Sequence, residues 1–253
     1  MNALPLALFD QALTMLPYPF VFVTVSGSHL YGFPSADSDY DLRGSHLLPG
    51  EAFWRLEPPR ETLEPKVESE TGLVEIVSHD LAKFARLLLK KNGYVLEQLT
   101  SPLVVRTTTV HEELKRLVPG VLTRNHYHHY RGFYATERKE YDRSDPKSIK
   151  KLLYCYRVLM TGCVLLREGA VEANLQALNE RFGYRFLDEL VQIKASGERA
   201  GLASDEGYVG ELQHLEAELD RAYEESKLPE TPAAREEIHR LVVRARGEGL
   251  GPG

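Results

Sequence analysis

Asp39 and Asp41 stand two residues apart in Ser38-Asp-Tyr-Asp-Leu-Arg43, downstream of a Gly27-Ser28 turn that follows an apolar run. On an extended chain that spacing projects both carboxylates from one face. Carboxylates held side by side repel unless a cation lies between them. Magnesium suits, because it prefers hard oxygen ligands and keeps positions open for phosphate oxygens. A pair of such ions can clamp both an attacking hydroxyl and a leaving pyrophosphate. The Gly27 and Ser28 amides lie at a strand-to-helix turn, where exposed N–H groups favour phosphate. The spacing therefore points to a phosphate cradle beside a divalent-metal site.

Three other readings compete. Asp37, Asp39 and Asp41 match the first three ligands of a calcium loop, but that loop needs Gly next and Glu at its twelfth position, where this chain has Leu42 and Leu48. A P-loop fails because no Gly-Lys-Ser/Thr follows the turn. A hairpin rich in turn-forming aspartates would explain Asp-x-Asp alone, but not the upstream Gly-Ser with a strand on each side.

Stepping outward, Pro19 to Val25 is β-branched and aromatic and reads as a buried strand. Ser28 to Phe33 suggests one helical turn, Pro34 to Ser38 a turn, and Asp39 to Leu47 an alternating strand. Trp54 to Gly72 carries three prolines and several glutamates and reads as a loop or flap, before a third strand at Leu73 to Val77. Asp80 suits the N-cap of a helix whose Leu81, Phe84, Leu87 and Leu88 share a face, and Val95 to Leu99 is helical. From Val118 onward strand signals disappear. Asp145 as N-cap and Pro146 at the first helical position predict a helix over Lys147 to Arg167, with further helices at 171–181, 188–195, 208–226 and 233–246. The expected organisation is α+β: residues 1–118 form a small mixed sheet with flanking helices, 119–246 an all-helical region, and 247–253 a frayed tail.

The bulk composition is that of a globular protein, 43% hydrophobic and 27% charged over 253 residues. A net charge of −6 argues against non-specific coating of nucleic acid without excluding a local basic groove. Cys155 and Cys163, two turns apart in one helical pattern, are expected to be reduced core residues. With no secretory pattern in Met1 to Asp10 and no run long enough to span a bilayer, a cytoplasmic setting is expected.

Between Arg124 and Arg167 ten Lys and Arg face five acidic residues, counting Glu168 just beyond. Lys150, Tyr154, Arg157 and Thr161 form a helical stripe that is either a solvated face or a wall holding a triphosphate or nucleic-acid backbone. His126, His128 and His129 lie among Tyr127, Tyr130, Phe133 and Tyr134. Their spacing is poor for zinc; core packing, or else base stacking or phosphate contact, fits better. No Ser-His-Asp or Cys-His arrangement stands out.

Gly27-Ser28, Tyr31-Gly32 and Ser38-Asp39-x-Asp41-x-Arg43-Gly44 resemble the signature of the DNA polymerase β-like nucleotidyltransferase superfamily, most closely the predicted nucleotidyltransferases associated with RNA ligase and RNA repair. Lys83-Phe84, Asn92, Leu96-Glu97-Gln98-Leu99, Ser101-Pro102 and Lys150…Tyr154…Arg157 are similar to that branch, so the resemblance covers about two thirds of the chain. It implies the superfamily's nucleotidyltransferase core and a third carboxylate on a neighbouring strand. Glu75, mid-strand in Leu-Val-Glu-Ile-Val, takes that place where the family usually has Asp; Asp80 is the rival but suits a helix cap. On this reading Asp39, Asp41 and Glu75 bind Mg²⁺ or Mn²⁺ and are catalytic, Gly27 and Ser28 hold the β- and γ-phosphates of an NTP, and Tyr31, Arg43, Lys83, Lys150 and Arg157 contact nucleotide or acceptor. The expected acceptor is an RNA end. The alternatives are a small molecule, a protein side chain, or a non-catalytic nucleotide-binding regulator. The sequence names neither the NTP nor the oligomeric state.

Overall fold

Runs of β-branched and aromatic residues alternate with amphipathic helices through the first half of the chain, and helices fill most of the second. In this computed structural model residues 4–57, 59–69, 72–197, 201–202, 205 and 207–250 are described. The first half runs α1 (Leu6–Leu13), β1 (Phe20–Val25), α2 (Gly27–Tyr31), β2 (Tyr40–His46), β3 (Thr62–Leu63), β4 (Lys66–Ser69), β5 (Gly72–Asp80), α3 (Leu81–Leu89), α4 (Gly93–Thr100), β6 (Val104–Arg106) and α5 (Thr109–Leu117). The second half runs α6 (Tyr127–Arg143), β7 (Lys147–Ser148), α7 (Ile149–Glu168), α8 (Leu175–Phe182), α9 (Phe186–Ala195), β8 (Gly201–Leu202), α10 (Tyr208–Glu225) and α11 (Arg235–Glu248).

Six strands form a mixed sheet in the order β3-β5-β2-β1-β6, with β4 also paired to β5. Only β2 and β5 run parallel among these pairs. Alternation decides what each face does. Val23, Val25, Leu42, Val74 and Ile76 pack with Leu8, Phe9 and Leu13 of α1 on one side. On the other, Phe22 joins Phe84 of α3, Leu96 of α4 and the long core that continues into α6, α7, α10 and α11. The odd-numbered residues of β2, Asp41 and Arg43, belong to this second side, where Arg43 meets Tyr94 of α4. The fold class is α+β, as expected.

Two expectations change. The segment read as a flap contains β3 and β4, both hydrogen-bonded to β5, which itself extends to Asp80. Prolines at 59 and 65 flank those strands rather than interrupt them, so they did not exclude pairing. The long helix α7 is capped by Ser148, whose side chain accepts from the Lys151 amide, and so begins two residues after the Lys147 expected. Asp145 and Pro146 precede a short β7–β8 bridge instead. Cys155 and Cys163 are buried free thiols. Among the described residues no helix is long and apolar enough to cross a membrane.

Burial also sets an acid limit. His46 and His126 are fully buried, and burial pulls each imidazole down from an ordinary 6.5 to about 4. A base whose folded pKa lies below its unfolded one takes up protons first in the unfolded chain. The stability this supports is complete above pH 6.5 and declines as pH falls toward about 4. The melting temperature is therefore expected to fall across that window, and the fall should shrink in His126→Asn. A flat profile would contradict the assignment.

Candidate active site

Chain geometry brings the acidic residues to one place. Asp41 and Glu75 are direct partners in the parallel β2–β5 ladder, so their side chains leave the same face on neighbouring strands. Asp39 immediately precedes β2 and shares that parity. Together with Ser28 of α2 and Lys150 and Tyr154 of α7, all three line a cavity of about 210 Å³.

The turn from β1 into α2 is fitted to this cavity. Gly27 has φ +62, and a Cβ added there would sit 2.1 Å from Asp41 Oδ2. The Ser26 amide also donates to the Asp41 carbonyl at 2.8 Å. Gly27→Ala should therefore strain the turn and push the Asp41 carboxylate aside. A stability cost of roughly 1 kcal/mol or more is expected, read as a lower melting temperature. An unaltered melting temperature would show that the close approach is dispensable.

Each of two carboxylates has a basic neighbour. Arg43 Nη2 lies 2.5 Å from Asp41 Oδ1, and its Nη1 donates to the carbonyls of Leu42 (3.1 Å) and Glu75 (3.2 Å). Its Nε donates to Tyr94 Oη at 3.4 Å. The Arg43 side chain is 11% exposed and ties β2, β5 and α4 together around Asp41. Glu75 pairs with Lys66, its cross-strand partner on β4. Among the described residues no group of three or more His, Cys, Asp or Glu side chains stands close enough together to hold a metal as it is. The three carboxylates share a cavity rather than a finished coordination shell.

The remaining candidates divide. Lys150 reaches the cavity. Tyr31 is buried with its ring at the edge of an adjoining hollow of about 430 Å³, which shares Asp41 and Tyr154 with the first. Lys83 lies past the far end of β5 from Glu75, bonded to Thr62 Oγ1, and lines neither space. Arg157 corrects the stripe expected on α7: it is 0% exposed, as is Thr161, since Glu97 of α4 and Phe133 of α6 meet Arg157 and the Glu172 carbonyl accepts from Thr161 Oγ1. Its Nη1 donates to Glu97 Oε2 at 3.0 Å, and its guanidinium stacks 3.7 Å from the Tyr31 ring centroid. Burial raises the Glu97 pKa, and the adjacent Arg157 charge opposes the shift. Asp80 is the N-cap of α3, accepting from the Ala82 amide at 3.0 Å and from Arg246 at 2.6 Å. It stands five residues along β5 from Glu75, away from the cavity.

Sequence reasoning passed over Lys66 and Tyr94. Lys66 could have been found from the alternation Lys-Val-Glu-Ser before Gly72, a hairpin pattern opposite Gly72 to Glu75. Tyr94 carried no signal of its own. Asp39 also borders a hollow of about 550 Å³ with a mixed lining that includes His29, Ser35, Tyr40, Leu103 and Asn174.

A family model described as RlaP, RNA repair pathway DNA polymerase beta family, matches residues 6–244. The uncharacterised protein MJ0002 of Methanocaldococcus jannaschii is 28% identical over 229 residues, covering 88% of this chain and 92% of that protein. The uncharacterised protein YcgL of Bacillus subtilis is 27% identical over 241 residues, covering 88% of each. A nucleotidyltransferase-like protein from Exiguobacterium sibiricum aligns over 85% of this chain and 74% of its own, with 13% identity and a TM-score of 0.30, too loose a superposition to carry weight.

Proposed function

The chain belongs to the RNA repair pathway DNA polymerase beta family, and on that premise we propose that it is a divalent-metal-dependent nucleotidyltransferase acting on an RNA end. One observation carries the reading: Asp39, Asp41 and Glu75 open into one cavity with Ser28 and Lys150. The donor set is all hard oxygen, which fits magnesium or manganese, and the space that Gly27 leaves beside Asp41 Oδ2 keeps that carboxylate in place. A bound divalent ion would supply charge neutralisation for the phosphate oxygens.

The protein's own groups account for the rest. Gly27 and Ser28 would receive the β- and γ-phosphates, and Lys150 would add a positive charge from the opposite wall. Arg43 positions Asp41 rather than contacting nucleotide, since its donors are directed at protein acceptors. The acceptor hydroxyl attacks the α-phosphorus, the α–β bridging bond breaks, and pyrophosphate leaves; a cavity carboxylate receives the hydroxyl proton. Rate enhancement comes from alignment and electrostatic complementarity. In this division residues 1–118 provide the carboxylates and residues 119–246 the wall bearing Lys150 and Tyr154.

Labelled NTPs offered with Mg²⁺ to RNA ends, proteins and small hydroxyl or amino compounds test this. Label moving to RNA with release of pyrophosphate is the expected outcome. Label moving only to a protein or small molecule would replace the acceptor, and no transfer to any acceptor would remove the activity.

A further inference from the structure

The 430 Å³ hollow beside the carboxylates is chemically unlike the cavity it joins. Tyr94 of α4, His129 and Phe133 of α6 and Tyr154 of α7 line it, each half-buried, so ring surface from three helices faces one space. Among the described residues no Lys or Arg lines it, and Asp41, on the shared boundary, is the one charged residue on its wall. Burial holds the His129 imidazole near a pKa of about 4, so it is neutral in the physiological range. The smaller cavity, by contrast, has three carboxylates and a lysine. One space suits ions and phosphates; its neighbour suits an uncharged flat ring.

The rings are also held in place. Phe133 and His129 meet edge to face at 6.1 Å, and Arg157, buried behind them, lies 5.7 Å from the centroids of both Phe133 and Tyr154. A Cβ on Gly93 would fall 2.6 Å from His129 Cδ2, so its absence lets α4 close against α6. A stacking surface fixed before ligand arrives loses little freedom on binding.

Resting on the nucleotidyltransferase reading, we propose that this hollow is the nucleobase subsite for the incoming NTP, with Phe133, Tyr154 and Tyr94 supplying the stacking surface. Continuity favours the NTP over other flat ligands: the hollow meets the phosphate-side cavity at Asp41 and Tyr154, and Gly27 of the proposed phosphate turn lies on its wall. Asn92 is at hand for polar contact, its Oδ1 already accepting from the Tyr94 amide at 3.0 Å and its Nδ2 the group left to donate to a base.

The test separates the base from the phosphates. Binding of Mg²⁺-ATP, inorganic tripolyphosphate with Mg²⁺, and a short oligoribonucleotide is measured calorimetrically for wild type, Phe133→Leu and Phe133→Trp. Leucine keeps apolar volume without a π face; tryptophan keeps the face. We expect Phe133→Leu to weaken ATP about tenfold, leave tripolyphosphate unchanged, and be restored by Phe133→Trp. Equal loss for ATP and tripolyphosphate, or no loss for either, would overturn the subsite. So would loss confined to the oligoribonucleotide, which would give the hollow to the acceptor. Failure of wild type to bind either ATP or tripolyphosphate would remove the nucleotidyltransferase reading itself, and the subsite with it.

Discussion

Asp39→Ala/Asp41→Ala is expected to lower nucleotide transfer by at least about 10³-fold, because it strips the cavity of two of the three oxygen donors that would hold the metal and set the phosphates against the acceptor. The fold should survive. Asp41 is one of four acceptors for Arg43, which keeps the Leu42 and Glu75 carbonyls and Tyr94 Oη when the carboxylate goes. The loss in stability should be about 1–3 kcal/mol, the range for removing one partner of a largely buried donor. Label transfer and thermal melts on the same preparations separate the two effects. Transfer at a wild-type rate in the double variant would sink the mechanism, whatever the melts show.

Arg157→Met should act in the opposite way, with stability as its main casualty. The substitution leaves Glu97, 1% exposed at its side chain, without its cation in the core, a change that typically costs about 3–5 kcal/mol. For a chain of this size that corresponds to a fall in melting temperature of roughly 10 °C. The second replacement, Glu97→Leu, should recover much of the loss, because a buried pair exchanged whole for apolar groups is often neutral. The surroundings heighten the dependence: the hydroxyls of Tyr31 and Tyr130, both buried, also gather on Glu97 beside the Arg157 guanidinium. Removing Arg157 leaves that group of buried polar atoms without its cation. A melting temperature unchanged in Arg157→Met would show that the pair is not what stabilises the α4–α7 contact.

What the sequence disclosed followed the range of the interactions involved. β1, α2 and β2 were legible because Phe20 to Val25, the Gly27 turn and the alternation after Asp39 are local patterns, and the same patterns put Gly27, Ser28, Asp39 and Asp41 beside one another. Asp80 read as a helix cap because capping needs only neighbours two or three residues away. The missed features were set by distant partners. Lys66 and Thr62 are in strands only because β5 pairs with them. Arg157 looked like part of a polar stripe since helical spacing says which residues share a face, not whether a second layer covers it; Glu97, 60 positions earlier, makes that side a buried one. Lys83 matched a family pattern, yet its bond to Thr62 directs it away from the carboxylates.

One bond bears on how the molecule comes into being. Arg246 of α11 reaches back 166 positions to Asp80, and α11 packs its Ile238, Leu241 and Ala245 into the same core as α3 and α5. The Ala234 amide likewise donates to the Gly120 carbonyl at 2.9 Å. During synthesis the strands and helices of the first half thus leave the ribosome well before the helix that covers them. Until residue 246 emerges, the surface under α11 is open to solvent and to other nascent chains. Closure of that surface waits on a segment made more than a hundred residues after α3, and the interval before it is when a chaperone would have most to shield.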